Sequence, residues 1–318
     1  MTEILPVPAA SANAASGSSP EFCSVTTPQR QGKALLGWLS EPVVRPIFHI
    51  LTVTSPGDLE LFVAEARSRR QARTRIPLTP PAPAAVSELP AALAPRADCL
   101  RASDQFKTAY EPFGAMFAVV PLGELVTPQW WADAGYVEAL AASAPAEDDL
   151  DGMFDFSFSM GRLARPMNLG LNGAAFASAR GDSGSVGPLR VARYSPERVT
   201  FEFDITPRPN WIWLAASQDM TRLLILNGVH HLLALMKAGR RHAYCLLRPA
   251  HSLDDLRANG WDPQNPELFK PDELKGARPP LLRDYLDDEH AADVGIHLRQ
   301  SYLRLAVQAE PCIIPRVE

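Results

Sequence analysis

One stretch near residue 230 combines strand, turn and helix signals in a fixed order. Residues 222–226, an arginine followed by four apolar residues, predict a strand, which ends at a turn on Gly228. A helix is predicted over about 229–238, closed by Gly239, and a second strand over 242–248. We expect an α+β protein with a mixed sheet that contains this strand-turn-helix-strand core.

The turn at Gly228 has the chemistry of an anion site. A glycine between a strand and a helix lets the backbone approach a ligand, and the first free N–H groups of the helix point toward that ligand. We therefore take Asn227, Gly228, His230 and His231 as candidate phosphate-binding residues. The alternative is that the glycine serves packing and that the histidines cap a helix whose leucines fill the core.

This stretch also resembles a known family. Residues 223–239 resemble the strand-GxHR-helix core of the superfamily that contains the ParB N-terminal domain and sulfiredoxin. The upstream stretch 119–130, VVPLGELVTPQW, is similar to the strand and proline-containing segment that precede that core. The resemblance covers about residues 116–142 and 209–248, and it implies a ParB/sulfiredoxin-like core with an insertion between the two pieces.

The motif positions can be carried over one at a time. Gly228 matches the turn glycine and His230 the motif histidine, whereas His231 stands where the family has arginine. Arginine is a permanent, forked phosphate clamp and imidazole is not, so this difference matters for phosphate binding. Val229 occupies the position of the catalytic cysteine of sulfiredoxin, which excludes reductase chemistry.

In these families the GxHR turn binds a nucleotide phosphate, and members act as CTP-dependent DNA clamps, nuclease-like domains, small-molecule kinases or sulfinic-acid reductases. The resemblance therefore implies a nucleotide or another phosphate-bearing ligand, and a nucleoside triphosphate with Mg²⁺ is one candidate. If chemistry occurs, we expect phosphoryl transfer or nucleotide hydrolysis, with His230 as acid or base and Asp219 as a metal partner. A competing hypothesis is a non-enzymatic adaptor in a multiprotein system, which suits the missing motif arginine and the Pro-rich segments described below.

DNA binding is a third hypothesis, and it depends on an arginine cluster. A helix is predicted from Ser55 onward, and it ends in five arginines: Arg67, Arg69, Arg70, Arg73 and Arg75. Such a cluster is either a solvated helix end or a patch that contacts phosphates. The whole chain has 31 basic and 36 acidic residues and a net charge of −5. This excludes the class of proteins that coat nucleic acid through an overall positive charge.

Composition divides the chain into segments. Residues 1–33 are small, polar and Pro-rich and predict a disordered tail, and a Pro/Ala linker is predicted over 76–97. The full division is a tail (1–33), a small strand-helix unit (34–75), the linker (76–97), a ParB-like domain (98–250) with an insertion (145–208), and a C-terminal extension packed on that domain (251–318). Within the first unit, a strand is predicted over 46–53.

The insertion is predicted to hold a pair of antiparallel strands. Apolar and polar residues alternate over 154–160, with Phe154, Phe156 and Phe158 on one side, and again over 199–206. The Gly-rich residues 161–190 between them are predicted to form a mobile loop. Upstream, a helix is predicted from Thr127-Pro128 to about Ala142, and further strands over 116–122, 211–214 and 301–307. Short helices are predicted near 252–258 and 280–287.

Compartment and metal content follow from a few residue types. Cys23, Cys99, Cys245 and Cys312 are far apart and form no CxxC pair, the sequence holds no run of roughly 18 apolar residues, and no signal-peptide pattern opens it. We expect a reduced, cytoplasmic protein without a membrane partner.

No metal site is predicted, because His242 and Cys245 point to opposite faces of a strand. Trp130, Trp131, Trp211 and Trp213 are interpreted as core or interface anchors rather than base-stacking platforms.

Overall fold

The computed structural model of the protein describes residues 29–42, 44, 56–75, 85–160, 209–258 and 271–297, together with the backbone of strands within 165–206 and at 301–306. The strands are β1 (Gln29–Ala34), β2 (Met116–Pro121), β3 (Trp131–Asp133), β4 (Arg165–Asn168), β5 (Gly173–Ser178), β6 (Ser185–Val186), β7 (Arg190–Ser195), β8 (Arg198–Glu202), β9 (Ile205–Thr206), β10 (Trp213–Ser217), β11 (Leu224–Asn227), β12 (His242–Ala250), β13 (Ala292–His297) and β14 (Ser301–Ala306). The α-helices are α1 (Pro56–Arg75), α2 (Ala94–Ala102), α3 (Asp104–Ala109), α4 (Ala134–Ala141), α5 (Leu150–Ser157), α6 (Val229–Lys237), α7 (Leu253–Ala258) and α8 (Pro271–Lys275). Short 3₁₀ helices lie at Leu36–Trp38, Ala91–Leu93, Glu111–Phe113 and Leu282–Leu286.

The largest sheet is mixed and has the order β11-β10-β12-β2. β10 runs parallel to β12, whereas β10 is antiparallel to β11 and β12 is antiparallel to β2. The predicted α+β class with a mixed sheet is therefore confirmed. The strands on either side of α6 run antiparallel to each other with β10 between them, so α6 connects strands that are not neighbours.

Burial explains why the segment around α6 folds as the sequence predicts. β12 is buried at every position from Ala243 to Arg248, as expected for a central strand covered on both faces. α6 buries Leu232, Leu233 and Leu235 on the face that packs into the core. The helix ends at Gly239, whose φ of +77° is the left-handed conformation that favours glycine after a helix.

A second sheet shows that the predicted tail is too long. It has the order β13-β1-β3, and its strands pair antiparallel, with Lys33 opposite Asp293 and Ala132. Residues 29–33 therefore form a strand rather than part of a disordered tail. The residue pattern of this short strand is too brief to stand out from the Pro-rich composition before it. The strand is stabilised by partner strands that lie far along the chain. Residues 1–28 lie outside the described residues.

The predicted linker is also folded over the part that is described. Ser87 forms a β-bridge with Val119, and residues 91–102 are helical, with Leu93 and Ala97 buried. Alanine is a strong helix former, and proline is tolerated in the first turn of a helix, so this Pro/Ala composition also suits helix starts. Residues 76–84 and the strand predicted over 46–53 lie outside the described residues.

The segment 154–160 was predicted as a strand, and that prediction is wrong. Residues Leu150–Ser157 form α5, whose N-terminus is capped by the carboxylate of Asp149, 2.9 Å from the amide of Gly152. Met153, Phe154 and Phe158 are buried, and the rings of the two phenylalanines lie 4.7 Å apart. Apolar residues spaced three and four apart form one face of a helix. The apolar residues of this segment fit that helical spacing as well as the alternation of a strand.

The rest of the insertion contains antiparallel strand pairs, but with different members. β8 covers part of the predicted segment 199–206 and pairs with β7, and β9 pairs with β6. The predicted loop over 161–190 contains β4 and β5, which pair with each other, and β5 also pairs with β14. Glycine-rich composition predicts loops, but pairing with a distant strand overrides that tendency here.

One helix prediction needs new bounds, and several other elements agree with their predictions. The helix predicted from Thr127 to Ala142 is β3 followed by α4, because Asp133 caps α4 by accepting the amide of Tyr136 at 2.9 Å. β2, β10, β14, α1, α7 and the 3₁₀ helix Leu282–Leu286 confirm predicted elements within a few residues. β13 and α8 were not predicted. Among the described residues, no helix combines the length and the hydropathy needed to cross a membrane.

Candidate functional site

The candidate turn is shaped by Gly228, which caps the N-terminus of α6. Its φ of +99° lies in the region that favours glycine, and its carbonyl accepts the amide of Leu232 at 3.0 Å. A Cβ at this position would lie 3.1 Å from both Cα and Cγ1 of Ile212. The glycine is therefore required by its backbone conformation and by the close approach of the chain that leads into β10.

Asn227 ties the same turn to the sheet. It is the last residue of β11 and lies opposite Trp213 in the ladder between β10 and β11. Its side-chain Nδ2 donates a hydrogen bond to the carbonyl oxygen of Trp211 at 2.9 Å. Asn227 is exposed, so its other face remains accessible, but one of its donors already holds the backbone in place.

His230 is engaged by a backbone group from another element. Its Nε2 accepts a hydrogen bond from the amide of Asp133 at 3.1 Å, and its ring lies 5.4 Å from that of Tyr136. A ring nitrogen that accepts a hydrogen bond carries no proton, so the neutral form of His230 has its proton on Nδ1. This contact links the start of α6 to the junction of β3 and α4.

His231, which stands in place of the family's arginine, lies in the core. Its residue surface is only 4% exposed. The ring of Phe156 lies 5.2 Å away and that of Tyr136 6.2 Å away, both edge to face, and Ser159 Oγ is 3.5 Å from Nε2. Aromatic neighbours from α4 and α5 thus surround the imidazole. This arrangement directs the side chain into packing rather than toward an external ligand.

The residue that sequence reasoning missed at this site is Asp133. Its carboxylate accepts the Tyr136 amide through Oδ1 and forms an ion pair with Arg30 Nη1 at 2.5 Å through Oδ2, while the residue is 7% exposed. Its own amide holds His230. The signal for it was an aspartate three residues before a helical tyrosine, which is a typical N-cap pattern. A helix start placed at Thr127 hid that pattern.

Asp219, predicted as a metal partner, lies at the far end of β10 from the turn. Trp213 at the start of β10 pairs with Asn227, whereas Asp219 follows the end of that strand. Four residue steps along a strand separate the two ends, roughly 13 Å. The structure therefore does not bring Asp219 and His230 together.

Asp219 instead takes part in a local polar cluster. Its carboxylate forms an ion pair with Lys275 on α8, accepts the hydroxyl of Ser217, and accepts the amide of Leu253 at 3.4 Å. Partial burial raises the pKa of Asp219, but the hydrogen bonds from Lys275, Ser217 and Leu253 outweigh it, and the pKa is lowered below its usual value. The contacts are those of a structural carboxylate that joins β10 to α7 and α8.

The arginine cluster of α1 makes contacts within the chain. Arg69 donates to the carbonyl oxygens of Asp288 and Ala291, the latter at 2.8 Å, and its Nε lies 2.6 Å from Glu65. Arg67 Nη2 lies 2.8 Å from a carboxylate oxygen of Glu41.

The next two arginines of the cluster dock on the 3₁₀ helix Leu36–Trp38 and on α8. Arg70 donates to the carbonyl oxygen of Trp38 at 3.3 Å and to Glu273 at 3.0 Å. The guanidinium of Arg73 lies 5.2 Å from the centre of the Trp38 ring, and burial lowers the pKa of Arg73. These arginines therefore fasten α1 to the body, and the side chain of Arg75 lies outside the described part.

Within the described residues, no group of three or more histidine, cysteine or acidic side chains could hold a metal ion. His242 is exposed and its Nδ1 lies 2.9 Å from Glu147, whereas Cys245 is fully buried, so the two point to opposite faces as predicted. Burial also raises the pKa of the Cys245 thiol, which keeps it protonated. Comparison with models of known protein families, with curated proteins and with solved structures yields no match.

Proposed function

We propose that the protein is a non-enzymatic adaptor of a multiprotein system, built on a diverged ParB-like strand-turn-helix core and acting in the cytoplasm. The observation that carries this proposal is the hydrogen bond from the amide of Asp133 to Nε2 of His230, at 3.1 Å. A general base needs a lone pair within reach of the substrate, and here that lone pair is used by the backbone. The histidine thus joins two elements of the fold.

The position of His231 supports the same proposal. In the resembling families, an arginine at this position provides a permanent charge for phosphate. Here the equivalent side chain is an imidazole packed against Phe156 and Tyr136 and 4% exposed. A charge developing at this place would lose its hydration among aromatic side chains, which costs free energy. Neither motif histidine is therefore arranged for phosphoryl transfer.

A second candidate function, binding of a nucleotide or another phosphate-bearing ligand at the turn, is favoured by one feature of α6. No side chain caps the N-terminus of this helix, and Gly228 adopts the left-handed conformation there. Free N–H groups at a helix start attract anions. In this alternative the turn binds a ligand, and Mg²⁺ would accompany a nucleoside triphosphate.

The two candidates differ in what Asn227→Asp does to nucleotide binding. Asn227 is exposed, so the variant is expected to fold, and it places a negative charge at the turn. A phosphate bound there would lose affinity by about tenfold or more from charge repulsion. Melting temperatures of the wild type and the variant are measured with ATP, CTP and GTP, with and without Mg²⁺. If the protein is an adaptor, no nucleotide should raise the melting temperature of the wild type more than that of the variant. A nucleotide-induced rise that is present in the wild type and absent in Asn227→Asp would contradict the adaptor proposal.

The adaptor is tested directly by the proteins that purify with it. A tagged chain is isolated from the cells that carry its gene, beside the variant His230→Gln, which keeps a polar side chain but moves the acceptor. The proposal predicts the same partner proteins in fixed stoichiometry with both chains, provided that the variant melts cooperatively. Absence of a stoichiometric partner with the wild type would overturn the proposal.

A further inference from the structure

Three buried hydrogen-bond donors on one side of the mixed sheet have no acceptor among the described residues. They are Nη1 of Arg248 and the indole nitrogens of Trp211 and Trp213. Arg248 is 2% exposed and Trp211 is 1% exposed. Buried donors are nearly always paired, and an unpaired guanidinium N–H is costly, so three unpaired donors together call for an explanation.

The register of the sheet brings these donors to one face. Trp213 lies opposite Leu246, and Ala215 lies opposite Arg248, on the parallel strands β10 and β12. Side chains two apart on a strand share a face, so Trp213 and Arg248 are diagonal neighbours on the same side of the sheet. Trp211 precedes β10 on that side.

Aromatic rings join the donors into one cluster. The ring of Tyr110 is stacked on Trp211 at 5.0 Å and meets Trp213 edge to face at 5.2 Å. Phe113 lies 6.1 Å from Trp213, and the guanidinium of Arg248 lies 4.3 Å from the centre of the Phe113 ring. The three donors are therefore surrounded mainly by the flat, apolar faces of aromatic rings.

Arg248 brings a positive charge into this cluster. Burial lowers the pKa of Arg248, and the nearby carboxylate of Asp255 partly offsets this effect. Oδ2 of Asp255 lies 3.4 Å from the amide of His251, to which it is hydrogen-bonded. In the described part of the chain, no group accepts a hydrogen bond from these three donors. The acceptor that best matches a guanidinium flanked by two N–H groups is an oxyanion.

We propose that Arg248, Trp211 and Trp213 bind the oxyanion group, a carboxylate or a phosphate, of a small ligand with a flat apolar body. Arg248 supplies charge and a forked donor, and the two indoles supply N–H groups. Tyr110 and Phe113 contact the body of the ligand. This site adjoins the turn through Asn227, which donates to the carbonyl oxygen of Trp211 and lies opposite Trp213. It does not use His230 and does not depend on the proposed adaptor function.

Access to the site is controlled by the segment that carries Phe113. This half-buried ring belongs to the 3₁₀ helix Glu111–Phe113, whose other two residues are exposed and which ends at Gly114 with φ of +63°. The segment forms the outer wall over Arg248. A ligand reaches the guanidinium by displacing the Phe113 ring, and the variant Phe113→Ala is expected to speed association.

The test compares four probes: benzoate, phenyl phosphate, inorganic phosphate and the neutral benzyl alcohol. Heats of binding and melting temperatures are measured with the full chain. We expect benzoate or phenyl phosphate to raise the melting temperature and benzyl alcohol to leave it unchanged. The preferred probe identifies the oxyanion as a carboxylate or a phosphate. If neither benzoate nor phenyl phosphate binds at millimolar concentration, the proposal is overturned.

The key variant is Arg248→Met, which removes the charge and keeps an unbranched apolar side chain. We expect it to weaken binding at least about 100-fold, because a charge-assisted contact is lost. Without ligand, we expect the variant to melt at or above the wild-type temperature, because a buried charge whose Nη1 has no acceptor among the described residues has been removed. Binding that survives this substitution would overturn the proposal.

Two further variants separate a specific site from general effects. Arg101 also stacks on a phenylalanine, 5.0 Å from the ring of Phe117, but its side chain is 49% exposed, so Arg101→Met is the matched control and should bind the probe normally. Trp213→Phe keeps a ring and removes one N–H, and it should weaken binding about tenfold. Equal loss of binding in Arg101→Met and Arg248→Met would contradict the site.

Discussion

The substitution Gly228→Ala tests whether the turn is built for packing. The left-handed conformation costs a residue with a Cβ about 1–2 kcal/mol. The new Cβ would also lie 3.1 Å from Cα of Ile212. That atom belongs to the backbone and cannot rotate away, and overpacking of this kind costs about 1–3 kcal/mol. We therefore expect Gly228→Ala to lower the free energy of unfolding by about 2–5 kcal/mol.

Gly239→Ala is the matched control for this prediction. Gly239 has a φ of +77°, but a Cβ there would meet nothing within 4 Å. The control should therefore lose only the conformational part, about 1–2 kcal/mol. Urea unfolding of the wild type and both variants at pH 7 measures the difference, which is the cost of the contact with Ile212.

A double-mutant cycle isolates the contact itself. Ile212 is fully buried, and Ile212→Ala alone should cost about 2–5 kcal/mol. In the Gly228→Ala background it should cost less, because the truncation relieves part of the crowding. If Gly228→Ala costs no more than Gly239→Ala, or if the two substitutions add without coupling, the packing argument is refuted.

Three further predictions concern other parts of the site and of α1. Asp219→Asn should lower stability by up to about 1 kcal/mol at pH 7. Since the folded pKa of Asp219 is lowered, its contribution is present above the unfolded pKa and is lost as pH falls through the folded pKa, so the urea midpoints of the two proteins should converge as the pH is lowered through that range. His231→Arg, which restores the family's residue, should destabilise by about 3 kcal/mol or more because it forces a larger, permanently charged side chain into a buried position between Phe156 and Tyr136; a stable variant that gains nucleotide binding would contradict this. The chain should show no retention on DNA even at low salt, because Arg69 and Arg70 are used within the molecule, and salt-dependent retention would refute that use.

The segment around α6 could be predicted from the sequence because its signals are local. Gly228 and Gly239 bracket the helix, and apolar residues fill the strands on either side. The segment 154–160 could not be assigned, because its apolar residues satisfy a strand period and a helix period together. The contacts of Phe154 and Phe158 in the core favour the helix, and such contacts are not visible in a local pattern.

The candidate site was predictable in its residue types and not in its partners. The sequence shows His230 at a helix start, but Asp133, which holds it, lies 97 residues earlier. The arginine cluster is visible as a charge run, but Glu273, which pairs with Arg70, lies 203 residues later. Pairings at such separations depend on the whole fold. For this reason the sequence left open whether these side chains serve a ligand or the core.

In the proposed function, His230 joins two structural elements and does not act on a substrate. The most direct measurement is the protonation of its two ring nitrogens, read by ¹⁵N NMR of histidine-labelled protein at pH 7 with and without nucleoside triphosphate and Mg²⁺. The hydrogen bond from Asp133 predicts a proton on Nδ1, none on Nε2, and no change when nucleotide is added. A protonated Nε2 would contradict this role of His230. So would ring signals of His230 that shift when nucleotide is added to the wild type but do not shift when it is added to Asn227→Asp.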